Sequence, residues 1–118
     1  MTELWLPWPR PTLSPNLRQH WSRLSKAKAK YREDCRLTVL AMNPLPRVPA
    51  AGNLAILFEW CCPTRRDYDS DNLLSRMKAG VDGMCDALGF NDKRFRYSAQ
   101  TFGPVVKGGA VRVRITAL

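Results

Sequence analysis

The sequence predicts a single α+β domain of 118 residues, with a mixed β-sheet and two main helices. Four short strand-like runs, two longer runs with helical spacing, and the Pro- or Gly-containing segments between them carry this prediction. The predicted order of elements is β-α-β-α-β-β. No internal repeat, low-complexity tract or linker interrupts residues 1–118, so we expect one domain rather than two.

The N-terminal half holds the first three predicted elements. Glu3–Pro7 predicts a strand, and the prolines that follow keep the chain extended. A helix is expected to start near Ser22 or Ser25 and to end before Asn43-Pro44. Its expected apolar stripe consists of Trp21, Leu24, Tyr31, Cys35 and Val39. Alternating apolar residues then predict a strand over Asn53–Cys62.

The C-terminal half holds the other three elements. Asp69-Ser70-Asp71-Asn72 is a helix-start signal, and the predicted helix continues to Gly89. Its expected apolar stripe consists of Leu74, Met77, Val81, Met84 or Cys85, and Leu88. Phe95–Phe102 predicts a strand, Lys107-Gly108-Gly109 predicts a turn, and alternating apolar residues over 111–115 predict a final strand. We expect the last two strands to pair as a hairpin.

The charge of the chain is unevenly distributed. The formal net charge is +9, from 19 Lys and Arg against 10 Asp and Glu. Residues 67–92 nevertheless carry six acids and two bases, whereas residues 93–118 carry six bases and no acid. Basic segments suit a polyanion, because each phosphate contact releases counterions. An acidic segment between them suits a cation that sits beside that polyanion, although a solvated charged surface would also explain it.

The cysteines and the apolar content limit the class of protein. Cys35, Cys61, Cys62 and Cys85 form no C-x-x-C motif and His20 is the only histidine, so we expect reduced, partly buried thiols rather than a zinc site. No stretch approaches the roughly 20 apolar residues of a membrane span. The N-terminus lacks the basic region of a signal peptide. We therefore expect a cytoplasmic protein with no membrane partner.

Three acids alternate where the central strand gives way to the second helix. Asp67, Asp69 and Asp71 would point the same way if this junction is extended. Close carboxylates repel one another, and a hard cation such as Mg²⁺ offsets that repulsion. The alternative is that Asp69 or Asp71 only caps the helix. A calcium loop is excluded, because Asn72 and Lys78 stand where an EF-hand requires glycine and glutamate.

Lys78 follows Asp71 by seven residues, which returns it to within about 20° of the same helix face. Its long side chain could reach back toward a phosphate held at the acids. An i, i+4 ion pair with Asp82 is an equally good explanation. Asp92 lies beyond the end of this helix, and only tertiary folding could bring it to the acids.

The ordered set of motifs resembles the RusA family of Holliday-junction resolvases, of the type found in prophages. The resemblance runs through most of the chain. It rests on Leu6-Pro7-Trp8-Pro9, Asn16 with Arg18, Arg65-Arg66, Asp69-x-Asp71-Asn72, Lys78-x-x-x-Asp82, Asp92, and Lys107-Gly108-Gly109. It implies a RusA-like fold and a crossover junction endodeoxyribonuclease, a phosphodiester hydrolase active in DNA recombination and repair.

The resemblance also implies a site. Asp69, Asp71 and Asp92 correspond to metal-binding catalytic carboxylates, and Lys78 corresponds to a catalytic lysine. Asp67 is an alternative ligand, because the Arg65-Arg66 pair adjoins it. The implied cofactor is Mg²⁺, with Mn²⁺ as a substitute, and the implied partners are a four-way DNA junction and a second copy of the chain. Candidate phosphate contacts are Asn16, Arg18, His20, Lys26, Lys28, Arg65 and Arg66.

Two other kinds of function remain open at the level of sequence. One is a metal-dependent nuclease of other branched or single-stranded nucleic acid. The other is a DNA-binding module whose nuclease site has decayed.

Overall fold

A computed structural model describes residues 1–118 and contains four strands and two long helices. Their bounds are β1 Thr2–Pro7, α1 Trp21–Leu40, β2 Leu54–Cys61, α2 Ser70–Leu88, β3 Phe95–Phe102 and β4 Ala110–Ala117. Two short 3-10 helices, Pro11–Leu13 and Asp92–Arg94, follow β1 and α2. The predicted α+β class and element order are confirmed. No helix combines the length and apolarity needed to cross a bilayer.

The four strands form one mixed sheet in the order β1-β4-β2-β3. β4 lies between β1 and β2 and is antiparallel to both, whereas β3 pairs only with β2 and is parallel to it. The expected hairpin between the last two strands is therefore wrong. A strand that takes the centre of a sheet buries its Val111, Val113 and Ile115 side chains completely, which a hairpin at the edge would not achieve.

One face of the sheet forms the hydrophobic core with the helices. Alternate residues of the two central strands, such as Ile56, Trp60 and Val113, are at most 3% exposed. The Trp60 indole stacks on the Phe58 ring, with 5.2 Å between the ring centroids, and donates to the Gln100 amide oxygen at 2.9 Å. This period-two burial is the pattern of a sheet that is covered on one side.

The other face of the sheet carries no helix and is held by charged side chains. Arg112 pairs with Glu59 across β4 and β2, and its guanidinium lies over the Trp5 ring at 5.6 Å. Glu3 on β1 accepts from Arg114 at 3.1 Å. Opposite charges that face each other on neighbouring strands stabilise the register of the pairing.

The two helices cross in close contact through glycines of α2. A Cβ added at Gly83 would overlap the backbone carbonyl of Arg32, and one added at Gly80 would overlap the Tyr31 ring. The absence of side chains there lets the backbones approach. The Arg32 guanidinium then reaches Asp86 through two hydrogen bonds of 2.7 and 2.9 Å, which lower the pKa of the Asp86 carboxyl.

The apolar stripe of α1 is shorter than expected. Tyr31, Cys35 and Val39 are buried as predicted, but Leu24 is only partly buried and Trp21 is 75% exposed. The first turns of α1 extend beyond the part of the helix that packs on the core, so the helical spacing continues there without burial. In α2, Met77, Met84 and Cys85 are buried as expected, and Leu73 is more deeply buried than the predicted Leu74.

A polar network ties the proline-rich segment after β1 to α2. The Asn72 amide donates to Ser14 Oγ at 2.7 Å and accepts from Arg76 Nε at 2.8 Å. Arg76 Nη1 donates to the Pro9 carbonyl at 3.4 Å. The network fixes this segment against the start of α2, where the predicted site lies.

Candidate functional site

Asp69 is the N-cap of α2. Its Oδ1 accepts hydrogen bonds from the backbone N–H groups of Asp71 at 2.9 Å and Asn72 at 3.3 Å. These are two of the N–H groups that have no partner within the helix, so the capping alternative is confirmed for Asp69. The cap fixes where α2 begins and holds the Asp69 carboxylate beside the backbone of Asp71.

Asp71 and Asp67 are free of protein partners. Asp71 lies in the first turn of α2, where the partial positive charge of the helix favours an acid, and its side chain makes no hydrogen bond or ion pair. Asp67 precedes the cap and is also exposed. Both carboxylates are open to solvent, and a ligand could reach them.

Lys78 connects the middle of α2 to the segment beyond its end. The turn after Gly89 folds the chain back, so that the Asp92 carboxylate lies 2.6 Å from Lys78 Nζ. Asp82, one turn further along α2, lies 3.4 Å from the same nitrogen. The contact with Asp92 raises the pKa of Lys78 and lowers that of Asp92, since each group stabilises the charged form of the other.

The expected cluster of three metal-binding carboxylates is not formed in this structure. No group of three His, Cys, Asp or Glu side chains lies close enough together to hold a metal ion. Asp69 is engaged in the cap, and Asp92 is engaged with Lys78. The structure thus brings the predicted lysine together with Asp92, but it does not bring Asp92 into a metal site with Asp69 and Asp71.

The seven predicted phosphate contacts lie on the surface in separate groups. Each of them is exposed and none forms an ion pair, which leaves Asn16, Arg18, His20, Lys26, Lys28, Arg65 and Arg66 accessible. His20 caps α1, where its Nδ1 accepts from the Ser22 N–H at 3.2 Å. Arg65 and Arg66 line a depression of about 460 Å³ together with Asp67, and Arg66 lies 4.9 Å from the centroid of the Tyr68 ring.

Comparison with known proteins identifies a relative but no activity. A comparison with models of protein families matches none of them. An uncharacterized protein of Xylella fastidiosa strain Temecula1 is 38% identical over 120 residues, which cover 100% of this chain and 78% of that protein. The two proteins belong to one family. Because the match covers the whole chain, every candidate residue lies within the region that this family shares.

Arg76 is a further residue of interest that is not among the candidates predicted from the sequence. It lies off the face shared by Asp71 and Lys78, yet it is only 8% exposed and lines the same groove as Lys78. Burial, followed by the nearby charge of Arg66, lowers the pKa of its guanidinium. Arg76 follows the buried Leu73 by three residues and precedes the buried Gly80 by four, so it lies on the packed side of α2, where it donates to the Pro9 carbonyl.

Proposed function

We propose that the chain is a RusA-like endonuclease that resolves four-way DNA junctions by paired nicks. The observation that carries the proposal is the 2.6 Å contact between Lys78 of α2 and Asp92, which lies beyond the end of that helix; Asp69 and Asp71 lie at the start of the same helix. The resemblance assigns catalytic roles to all four residues, and the fold brings Lys78 and Asp92, fourteen residues apart, into contact. A lysine held against a carboxylate, on a helix whose first turn presents a free carboxylate at Asp71, supports a proposal of phosphodiester chemistry.

The electrostatics support a polyanionic substrate. The chain has a net charge of +9 and bears exposed, unpaired cations, among them Arg18, Lys28 and Arg65. Contacts of this kind bind the DNA backbone whatever its sequence. The exposed carboxylates of Asp67 and Asp71, which have no protein partner, are where such a substrate would meet acids.

Magnesium, which manganese would replace, is the cofactor that this proposal requires. Asp69, Asp71 and Asp92 do not form its site in the structure, so we assign no catalytic step to the metal. The protein side chains have separate roles. Asp71 presents an unpartnered carboxylate, and the ammonium of Lys78 would stabilise the negative charge that develops on a phosphate.

The proposal includes a homodimer that acts in the cytoplasm, either on the chromosome or as part of a prophage. Two copies related by a two-fold axis would present two equivalent sites to the two strands of a junction.

The test is cleavage of a synthetic four-way junction by the purified chain with Mg²⁺. We expect paired, symmetric nicks, and we expect Asp71→Asn to abolish them while junction binding in EDTA is unchanged. The substitution removes the charge of an exposed side chain that makes no hydrogen bond or ion pair within the protein, so the fold should be retained. Circular dichroism of both proteins provides the control.

Three other outcomes contradict the proposal in different ways. Binding without cleavage by the unaltered chain would identify a DNA-binding module with a decayed site. Equal cleavage of linear duplex, flaps and junctions would identify a less selective nuclease. Cleavage that survives Asp71→Asn would place the chemistry elsewhere on the chain.

A further inference from the structure

A groove of about 730 Å³ lies between α1 and α2, on the side of the N-terminal proline-rich segment. Its volume is that of a small-molecule binding site. Leu13, Leu24 and Leu74 contribute apolar surface. Four cations line the same groove, namely Lys28, Arg32, Arg76 and Lys78, and Asp82 is the only acid among the lining residues.

Two of these four cations already have carboxylate partners. Arg32 binds Asp86 through two hydrogen bonds, and Lys78 binds Asp92. Lys28 and Arg76 are the two lining cations that have no carboxylate partner within the protein.

Arg76 is a buried cation without a counter-ion. Its side chain is held by two neutral oxygens, the amide oxygen of Asn72 and the carbonyl of Pro9, and it makes no ion pair. Its Nη2 makes no hydrogen bond within the protein. Because no buried side-chain nitrogen lacks a hydrogen bond, Nη2 is accessible to solvent, and it can donate to an anion in the groove.

Lys28 lies on the α1 side of the groove, where it is exposed and makes no ion pair. A lysine and an arginine with free donors on opposite walls match one phosphate group. The leucines beside them suit the base or sugar attached to that phosphate. A free anion has no apolar part to contact them, and the backbone of a duplex does not insert a base or sugar into a groove.

We infer that this groove binds one unpaired nucleotide of a DNA strand, with Arg76 and Lys28 on its phosphate and Leu13, Leu24 and Leu74 against its base and sugar. The inference rests on the proposed nuclease function and adds to it a preference for DNA that contains unstacked bases. Ser75 and Lys78 line the groove and share a helix face with Asp71. A strand seated there would therefore pass beside the proposed catalytic residues.

The experiment measures binding of a labelled oligothymidylate of about ten nucleotides by fluorescence anisotropy, in EDTA and over a series of salt concentrations. We expect Lys28→Gln and Arg76→Met each to weaken binding about tenfold, the effect of losing a hydrogen bond to a charged group. Each should also reduce the slope of log affinity against log salt by about 0.7, because one phosphate contact is lost.

Arg23→Gln is the matched control, since Arg23 is an exposed, unpaired cation of α1 that does not line the groove. It should leave the affinity within about twofold and the slope unchanged. An abasic oligonucleotide of equal length and charge should bind about fivefold more weakly than oligothymidylate, since the leucines then have no base to cover.

Several results would overturn the inference. Equal losses in all three variants would show a diffuse basic surface, and equal binding of the abasic strand would show that no base enters the groove. Inorganic phosphate that displaces the oligonucleotide at millimolar concentration would identify a site for a free anion. If Arg76→Met does not fold, Lys28→Gln and the abasic strand still test the inference, because the exposed Lys28 side chain makes no hydrogen bond or ion pair within the protein.

The assay separates this inference from the proposed nuclease function. It contains no divalent metal and needs no cleavage, so groove-dependent binding would stand even if the chain cut no DNA. Conversely, the chain could cleave junctions while Lys28→Gln and Arg76→Met leave its affinity for oligothymidylate unchanged. That result would support the nuclease function and rule out the groove as a nucleotide site.

Discussion

At the scale of single residues, Asp69 has two possible roles that one substitution series can separate. As the N-cap it needs an oxygen that accepts from the N–H groups of Asp71 and Asn72, and it needs no charge for that purpose. As a proposed metal ligand it needs the carboxylate. Asparagine supplies the oxygen without the charge, whereas alanine supplies neither.

We expect Asp69→Ala to lower the free energy of unfolding by about 1 kcal/mol, the usual cost of losing a cap. Asp69→Asn should leave stability nearly unchanged, because asparagine caps as well as aspartate does. Urea denaturation measures both. If Asp69→Asn also retains full junction cleavage, the carboxylate is not required and Asp69 is a structural residue alone.

At the scale of elements, the crossing of α1 and α2 sets the geometry around the proposed site. The backbone of Arg32 contacts α2 where Gly83 has no side chain. Helix propensity alone would favour alanine over glycine at this position by about 1 kcal/mol. The close approach of the two backbones therefore opposes the intrinsic preference of the helix.

Gly83→Ala is expected to destabilise the protein by about 1–3 kcal/mol, because a backbone carbonyl cannot move aside as a side-chain tip can. Ala87→Gly in the same helix provides a comparison, with an expected loss of about 1 kcal/mol from propensity. Thermal and urea unfolding measure both variants. A gain of stability in Gly83→Ala would contradict the close approach of Gly83 to the Arg32 backbone.

At the scale of the whole molecule, all four cysteines are free and buried, and they are distributed over both helices and the sheet. Burial raises the pKa of Cys35 and of Cys85 to about 12 each. Because the thiolate is the reactive form, such groups are inert at neutral pH in the native state. Their reactivity therefore reports the integrity of the entire domain.

We expect a thiol reagent such as dithionitrobenzoate to modify the native protein slowly at pH 8. Rapid modification of all four thiols should begin at the urea concentration at which circular dichroism shows the protein to unfold. Rapid modification of one cysteine in the native state would show that its burial is lost in solution. A mild reductant during purification removes disulfides formed by handling.

Local patterns in the sequence predict the elements well, because strand and helix periodicities depend on near neighbours. Val111, Val113 and Ile115 alternate equally in a hairpin strand and in a central strand. What decides between them is the partner strand, β1, which lies about a hundred residues earlier in the chain. The periodicity of a strand therefore does not predict which strands it pairs with in the mixed sheet.

The same limit applies to the candidate site. The cap by Asp69 and the ion pair between Lys78 and Asp82 are local, and the spacing of the residues indicates both as alternatives. The contact from Lys78 to Asp92 depends on the fold of the turn after α2. The hydrogen bond from Arg76 to the Pro9 carbonyl joins α2 to a segment more than sixty residues earlier, and local spacing does not predict that contact.

The glycine contact between the helices has a mechanical consequence for the groove. Most of the residues that line the groove precede Arg32 in α1 or Gly83 in α2, and Arg32 belongs to both the groove and the contact. A side chain added at Gly83 would push the Arg32 backbone away from α2 and so change the width of the groove. Binding in the groove would then weaken although no lining side chain had been replaced.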